Sequence, residues 1–146
     1  MLENKAFQSS ALQKVDMGSR GVIRNDAFYY CDSLEEIVFQ DGVDSIYENA
    51  FQAIPLKKIT MNGFIKYIGE NAFIASKESL EEFYLTNIDR WCANSFIRPE
   101  TNPMTYAKEI FINGEKAKTL SIPDNIQTIG NYAFANCVGI QYLELP

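Results

Sequence analysis

The tetrapeptide Glu48-Asn49-Ala50-Phe51 returns unchanged as Glu70-Asn71-Ala72-Phe73, and the rest of the chain keeps time with it. Lys5-Ala6-Phe7, Asp26-Ala27-Phe28 and Tyr132-Ala133-Phe134 fill the same slot. An aliphatic stands four positions before each Ala (Leu2, Ile23, Ile46, Ile68, Ile129), and another follows each Phe (Leu12, Leu34, Leu56, Leu80, Ile140). Three residues on come Val15, Ile37, Ile59, Phe83 and Leu143. Each is followed at the second position by Met17, Phe39, Met61, Leu85 or Leu145. The first four Phe residues lie 21, 23 and 22 positions apart. A fixed period of that length is the signature of a solenoid, because one unit cannot bury its apolar side and must stack on the next.

Each repeat reads as three pieces. The Leu-x-x-Ile-x-Met/Phe/Leu piece alternates with period 2 and is a short strand. A link follows, often with Gly or Pro (Asp41-Gly42, Asn62-Gly63, Pro123-Asp124), and then a second short extended segment marked by Val43/Ile46, Ile65/Ile68 and Ile126/Ile129. The Glu-Asn-Ala-Phe piece is expected to form about one helical turn, with Ala and Phe inward. All five repeat Phe residues (Phe7, Phe28, Phe51, Phe73, Phe134) are expected in one buried stack.

The pattern slips twice. The link before Ile23 is one residue short, with Ser19 or Arg20 where Val43 and Ile65 sit, which predicts a tightened turn. The larger slip spans 86–118. There Ser95-Phe96 falls where Ala-Phe is due, and the prolines of Arg98–Pro103 predict a surface loop. The strand resumes at Ile110-Phe111-Ile112, and Asn113-Gly114 is a hairpin turn signal. We read 1–146 as a single domain with a degenerate repeat and hairpin at 86–118.

The run Ile122-Pro123-Asp124-Asn125-Ile126-Gln127-Thr128-Ile129-Gly130-Asn131-Tyr132-Ala133-Phe134-Ala135-Asn136-Cys137, with Ile140-Gln141-Tyr142-Leu143-Glu144-Leu145-Pro146 after it, resembles the repeat of BspA-like leucine-rich-repeat proteins. The Trp91-Cys92, Asn102-Pro103 and Ile112-Asn113-Gly114-Glu115 landmarks of the insertion are similar to one found in that family. The resemblance covers essentially the whole chain. It implies a right-handed leucine-rich-repeat solenoid of ~22-residue repeats, an α/β repeat fold with short parallel strands on the concave face and helical turns and extended segments elsewhere. It also implies a place on the cell surface or in the secreted fraction, and a role in adhesion or host-protein binding. It brings no catalytic motif. Tyr47 and Arg24, in the slot of Gly69 and Gly130, depart from the pattern.

Composition narrows the function further. A net charge of −6 and a pI near 4.7 argue against a nucleic-acid partner, which calls for a basic stripe. No apolar run reaches membrane-spanning length, so no membrane insertion by this segment is expected. The chain opens in mid-repeat without a signal-peptide pattern and stops at the start of a new turn, so we read it as a piece of a longer protein. With no histidine, the Ser-His-Asp and Cys-His nucleophiles are ruled out. Glu35-Glu36 and Glu81-Glu82 are read as solvated strand residues and not as a glycosidase pair. No cofactor or metal motif is present, and no enzyme is expected. The three cysteines should be free thiols: Cys31 and Cys137 occupy a small core slot, and Cys92, in the insertion, should react most readily.

What remains is surface. With Ile37 and Phe39 inward, alternation builds two outward rows. One is Lys14, Glu36, Lys58, Glu82, Glu109, Thr119, Tyr142; the other is Asp16, Val38, Thr60, Tyr84, Phe111, Ser121, Glu144. The alternating charges of the first row act as a register device and break where Glu82 meets Glu109. Beside that break lie the candidate ligand-binding residues Tyr84, Phe111 and Tyr142, with Glu82 and Glu109. Trp91 and Tyr106 fall in the insertion, with Trp91 read as packing under the loop. Such a surface suits a protein or glycan ligand on the concave sheet. The alternative is a structural spacer that holds another domain of a longer protein. Nothing in the residues specifies an oligomeric state.

Overall fold

The computed structural model describes residues 1–18, 21–41 and 43–146. The short link at Ser19 and Arg20, and Gly42 in the next link, lie outside them. The period-2 segments form strands β1 (Lys14–Met17), β3 (Glu36–Phe39), β5 (Lys58–Met61), β7 (Glu82–Leu85) and β8 (Glu109–Ile112). They pair in parallel without a slip, so that Lys14, Glu36, Lys58, Glu82 and Glu109 lie in one row and Asp16, Val38, Thr60, Tyr84 and Phe111 in the next. Register is tightly specified because a one-residue shift would turn every inward side chain to water. Ile37, Phe39, Ile59, Met61, Phe83 and Leu85 are all 1% exposed or less.

The second extended segments form a separate parallel sheet of β2 (Gly21–Ile23), β4 (Val43–Ile46) and β6 (Tyr67–Ile68), which Leu2 extends by a bridge to Ile23. Ile23, Val43, Ile46 and Ile68 point into the same core as the first sheet.

The Glu-Asn-Ala-Phe piece is not a helical turn. It is a chain of tight turns in which alternate N–H groups bond within the turn and across to the next repeat. Ala50 N donates to Tyr47 O, while Phe51 N reaches across to Ala72 O and Asn49 N to Glu70 O. The residue before Ala has positive φ throughout: 59° at Lys5, 57° at Asp26, 59° at Asn49, 57° at Asn71 and 58° at Tyr132. In four of the five turns a second left-handed residue follows four positions on, at Ser9, Tyr30, Ala53 and Asn136; such a chain cannot propagate a helix, and Asn and Asp tolerate the conformation best. Only after Phe73 does a short 3₁₀ turn, Ile74–Lys77, form in this region.

Phe7, Phe28, Phe51 and Phe73 stack face to face with centroids 5.4, 5.1 and 5.1 Å apart. Phe134 is not part of that stack. Between it and Phe73 the insertion interposes Trp91, which packs on Phe83 and Phe96 at 5.4 and 5.6 Å.

The insertion itself departs from expectation in two ways. The helix α1 (Ile88–Cys92) is capped by Asn87, whose side chain accepts from Arg90 N at 3.0 Å. Beyond it, Gly130 N donates to Cys92 O, as Gly69 N does to Ile46 O, and Phe96 N donates to Asn131 O, as Asn49 N does to Glu70 O, so Cys92 takes the Ile46 slot and Phe96 the Asn slot. At Phe96 the register is therefore two residues off the expected Ser95-Phe96 match. In addition, only the first half of Arg98–Pro103 is at the surface, with Arg98 and Glu100 exposed. Two 3₁₀ turns, Pro99–Thr101 and Pro103–Tyr106, bury Thr101, Asn102, Pro103 and Met104.

Asn113 and Gly114, with φ of 52° and 86°, make the tight hairpin that returns β8 into β9 (Glu115–Lys116). A two-residue turn with positive φ at both positions matches the twist of the strands it joins. Strands β10 (Thr119–Ser121) and β11 (Tyr142–Glu144) then pair with each other in a sheet of their own. The outward rows are thus interrupted: Phe111 faces Lys116 of the hairpin and not Ser121.

Candidate functional site

The outward face of the large sheet is organised by cross-strand pairs. Lys14 Nζ donates to Glu36 Oε1 at 3.0 Å, and Lys58 Nζ lies 3.8 Å from the same oxygen. One position earlier on the strands, Lys57 meets Glu35 at 2.5 Å and Lys108 meets Glu81 at 2.6 Å. One position beyond the strands, Gln40 donates to Asp16, Asn62 donates to Gln40 at 3.0 Å and Thr86 donates to Asn62 at 2.6 Å. Exposed pairs of this kind contribute about 0.2–1 kcal/mol each, so they hold register more than they add stability.

Tyr84 and Phe111, directly opposed on β7 and β8, stack with centroids 4.4 Å apart and planes 8° from parallel. On the other side, from β5, the Lys58 ammonium sits over the Tyr84 ring at 4.5 Å from its centroid. Both faces of Tyr84 are therefore covered. Tyr84 Oη donates to Glu82 at 3.1 Å. Burial raises the phenol above its ordinary range; the Glu82 hydrogen bond and the charges of Glu82, Glu109 and Glu36 push it the same way. Lys116 supplies the counter-charge for the adjacent carboxylates, donating to Glu109 at 2.5 Å.

Four of the five sequence-predicted residues, Glu82, Tyr84, Glu109 and Phe111, come together here. Tyr142 does not. It lies on β11 in the separate sheet, opposite Thr119 and 65% exposed, because the β8–β9 hairpin separates the two strand sets. Two residues that sequence reasoning did not assign, Lys58 and Lys116, complete the cluster. Lys58 was within reach of the register argument, one row beside Tyr84; Lys116 was hidden by the hairpin.

The two aromatic residues singled out in the insertion are not on the surface. Trp91 is fully buried, with Nε1 donating to Ala133 O at 2.9 Å. Tyr106 is also buried, and its hydroxyl donates to Glu100 O at 2.7 Å. Cys92, expected to be the most reactive thiol, is only 1% exposed, and burial pushes it above its usual range, helped by Asp89. Cys137 is half-buried, and burial pushes it to about 12. All three thiols are free. A thiolate, not a thiol, is the nucleophile, so the insertion lends Cys92 no special reactivity.

Among the described residues no group of histidine, cysteine, aspartate or glutamate side chains could hold a metal ion. No helix among them is long and apolar enough to cross a membrane. Neither the curated proteins nor the solved structures contain a match to this chain. A family model does match, the BspA type leucine rich repeat region, in six copies over residues 1–102 and 104–146. Repeats of that kind are generally non-catalytic, protein-binding modules of surface proteins. Six copies, parallel sheets in fixed register and the turn ladder between them agree: the chain belongs to the BspA-type leucine-rich-repeat family.

Proposed function

We propose that this chain is a single non-catalytic binding domain that works outside the cell, on a surface or secreted, and grips a protein ligand with the outward face of its large sheet. The repeats would wind as a right-handed solenoid, with that sheet on the concave side. The observation that carries the reading is the Tyr84–Phe111 stack, flanked by Lys58 and by Glu82 and Glu109. Aromatic anchors beside charged groups tend to dominate binding energy at protein interfaces. A glycan is the weaker alternative ligand: a sugar stacks on an open ring face, and Lys58 and Phe111 cover both faces of Tyr84. The competing structural reading, a spacer, treats the stack as a cross-strand pair in which each ring shields the other.

The test is a screen of the labelled protein against arrays of extracellular proteins and of glycans. Any ligand found is retested with folded Tyr84→Ala and Phe111→Ala variants. A tenfold loss of affinity, about 1.4 kcal/mol, in both supports this face as the site. Unchanged affinity in both removes it. Absence of any ligand on either array favours the spacer.

A further inference from the structure

A cleft of about 570 Å³ opens where the large sheet stops, lined by Ile88, Ile112, Lys116, Lys118, Thr119 and Ser121, with Asn113, Glu115 and Ala117 at its margins. That volume is in the range of ligand pockets. Its walls are two strand edges. On β10, Lys118 O accepts from Gln141 N and Tyr142 N, and Ile122 N donates to Glu144 O. By the alternation of a parallel pair, Thr119 and Ser121 therefore turn their own N–H and C=O groups away from β11, toward the cleft. No strand among the described residues pairs with that edge. On β9, Ala117 N donates to Ile110 O and Glu115 opposes Ile112 across the tight turn. Lys116, between them, turns its N–H and C=O outward, into the same cleft. The floor is aliphatic, from Ile88 and Ile112, both only partly covered by the core.

The charges lining the cleft are uneven. Lys116 is already paired with Glu109. Glu115, also in the lining, has no ion-pair partner among the described residues, and neither has Lys118. Ser121 Oγ is held by Glu144 at 2.5 Å, which leaves the Ser121 backbone as the available group.

We infer that this cleft is a strand-addition site: it accepts an extended peptide segment of a partner protein, paired to the β10 edge, with an aliphatic side chain on Ile88 and Ile112 and a carboxylate at Lys118. Main-chain hydrogen bonds supply affinity in this mode, and alternate side chains supply selectivity. An unpaired edge in a repeat protein is otherwise a liability for aggregation, and here it is screened only by the hairpin. The site adjoins the Tyr84–Phe111 face at Lys116 but does not depend on it.

The experiment uses isotope-labelled protein followed by amide shifts and hydrogen exchange. The probe is a blocked hexapeptide alternating aspartate and valine. Controls are the same peptide N-methylated at every second residue, and one alternating lysine and valine. Expected are saturable shifts and slowed exchange at the Lys116, Thr119 and Ser121 amides, with at least tenfold weaker binding of both controls. Ser121→Pro removes one N–H on the cleft side and the Ser121 hydroxyl bond to Glu144, but no backbone bond to β11, so it should weaken binding at least tenfold in a folded protein. If that variant fails to fold, Lys118→Glu serves instead and should invert the preference between the acidic and basic peptides. Tyr84→Ala should bind the probe as the parent chain does, which separates this site from the sheet face. Equal binding of the N-methylated peptide, shifts confined to the Tyr84–Phe111 face, or no saturable binding up to about 1 mM overturns the inference.

Discussion

The indole Nε1 of Trp91 donates to the carbonyl of Ala133 at 2.9 Å, across 42 positions of chain. In the regular repeats that carbonyl is served by backbone: Phe7 N bonds Ala27 O, Phe28 N bonds Ala50 O and Phe51 N bonds Ala72 O. The insertion has no Phe in register to do so, and side chains stand in. Asn102 Nδ2 donates to Tyr132 O and Ala133 O at 2.9 and 3.0 Å, and Thr105 Oγ1 donates to Ala135 O at 2.7 Å. In the link before β6 Asn94 does the same, accepting from Ile65 N at 2.8 Å and donating to Gly63 O at 3.2 Å. The irregular stretch thus completes the hydrogen bonding of its neighbours on both sides.

Buried groups left without partners cost about 1–3 kcal/mol each. Asn102→Ala strands Met104 N and takes a donor from both Tyr132 O and Ala133 O, and should destabilise more than Trp91→Phe, which takes a donor from Ala133 O alone. Urea titration measures both. A loss under about 0.5 kcal/mol for Asn102→Ala, the range of ordinary surface changes, contradicts the substitution of side chain for backbone.

The Phe stack should show a gradient. Phe51 is fully buried between two rings, and Phe51→Ala should cost about 3–5 kcal/mol. Phe7 is 39% exposed with one stacking partner, and its Ala variant should cost clearly less than half as much. Equal losses in denaturant titrations would mean that the ladder is not the main source of the Phe51 effect.

Close backbone approach makes a sharper test. A Cβ at Gly130 would stand 1.8 Å from Asn94 O, whereas a Cβ at Gly21 meets nothing within 4 Å. Gly130→Ala must push two turns of backbone apart and should cost at least the 1–3 kcal/mol typical of overpacking, about the upper end or beyond. Gly21→Ala should be neutral or slightly stabilising, because it narrows the unfolded ensemble. A thermal melt of the pair decides, and similar midpoints would refute the packing.

A proton-linked pair lies on the second sheet. Tyr67 Oη donates to Glu48, which also accepts from Asn25 at 3.3 Å. The Tyr67 hydrogen bond holds the Glu48 carboxyl below its ordinary range, and the same bond pushes Tyr67 up to about 12. A depressed carboxyl contributes stability above its unfolded value that is lost as pH falls through the folded one. A raised phenol contributes stability below its unfolded value near 10 that is lost as pH rises toward 12. Tyr67→Phe should therefore flatten the stability profile at both ends, below pH 4.5 and above pH 10. An unchanged profile in urea titrations across that range would exclude the coupling.

The sequence by itself determined the strands and their order of contact. Because like slots recur at a fixed period, stacking puts Ile37 over Ile59 and Lys14 beside Glu36, and any slip would expose the inward row. It also determined the Asn113-Gly114 hairpin, whose two positive φ angles are a local demand. Tertiary structure decided the rest. Glu-Asn-Ala-Phe closes bonds three residues apart in a helical turn or in alternating tight turns alike. The choice fell to the N–H groups of Asn49 and Phe51, which bond the next repeat and not their own. Phe96 left the Phe slot for the Asn slot, where its N–H bonds Asn131 O, and Trp91 packs between its ring and Phe83. Tyr142 left the aromatic cluster because the hairpin diverted the sheet before β10 could join it. Each of these turns on a contact between residues far apart in the chain, and a periodic pattern states only which residues are alike, not which of two neighbours reaches a carbonyl first.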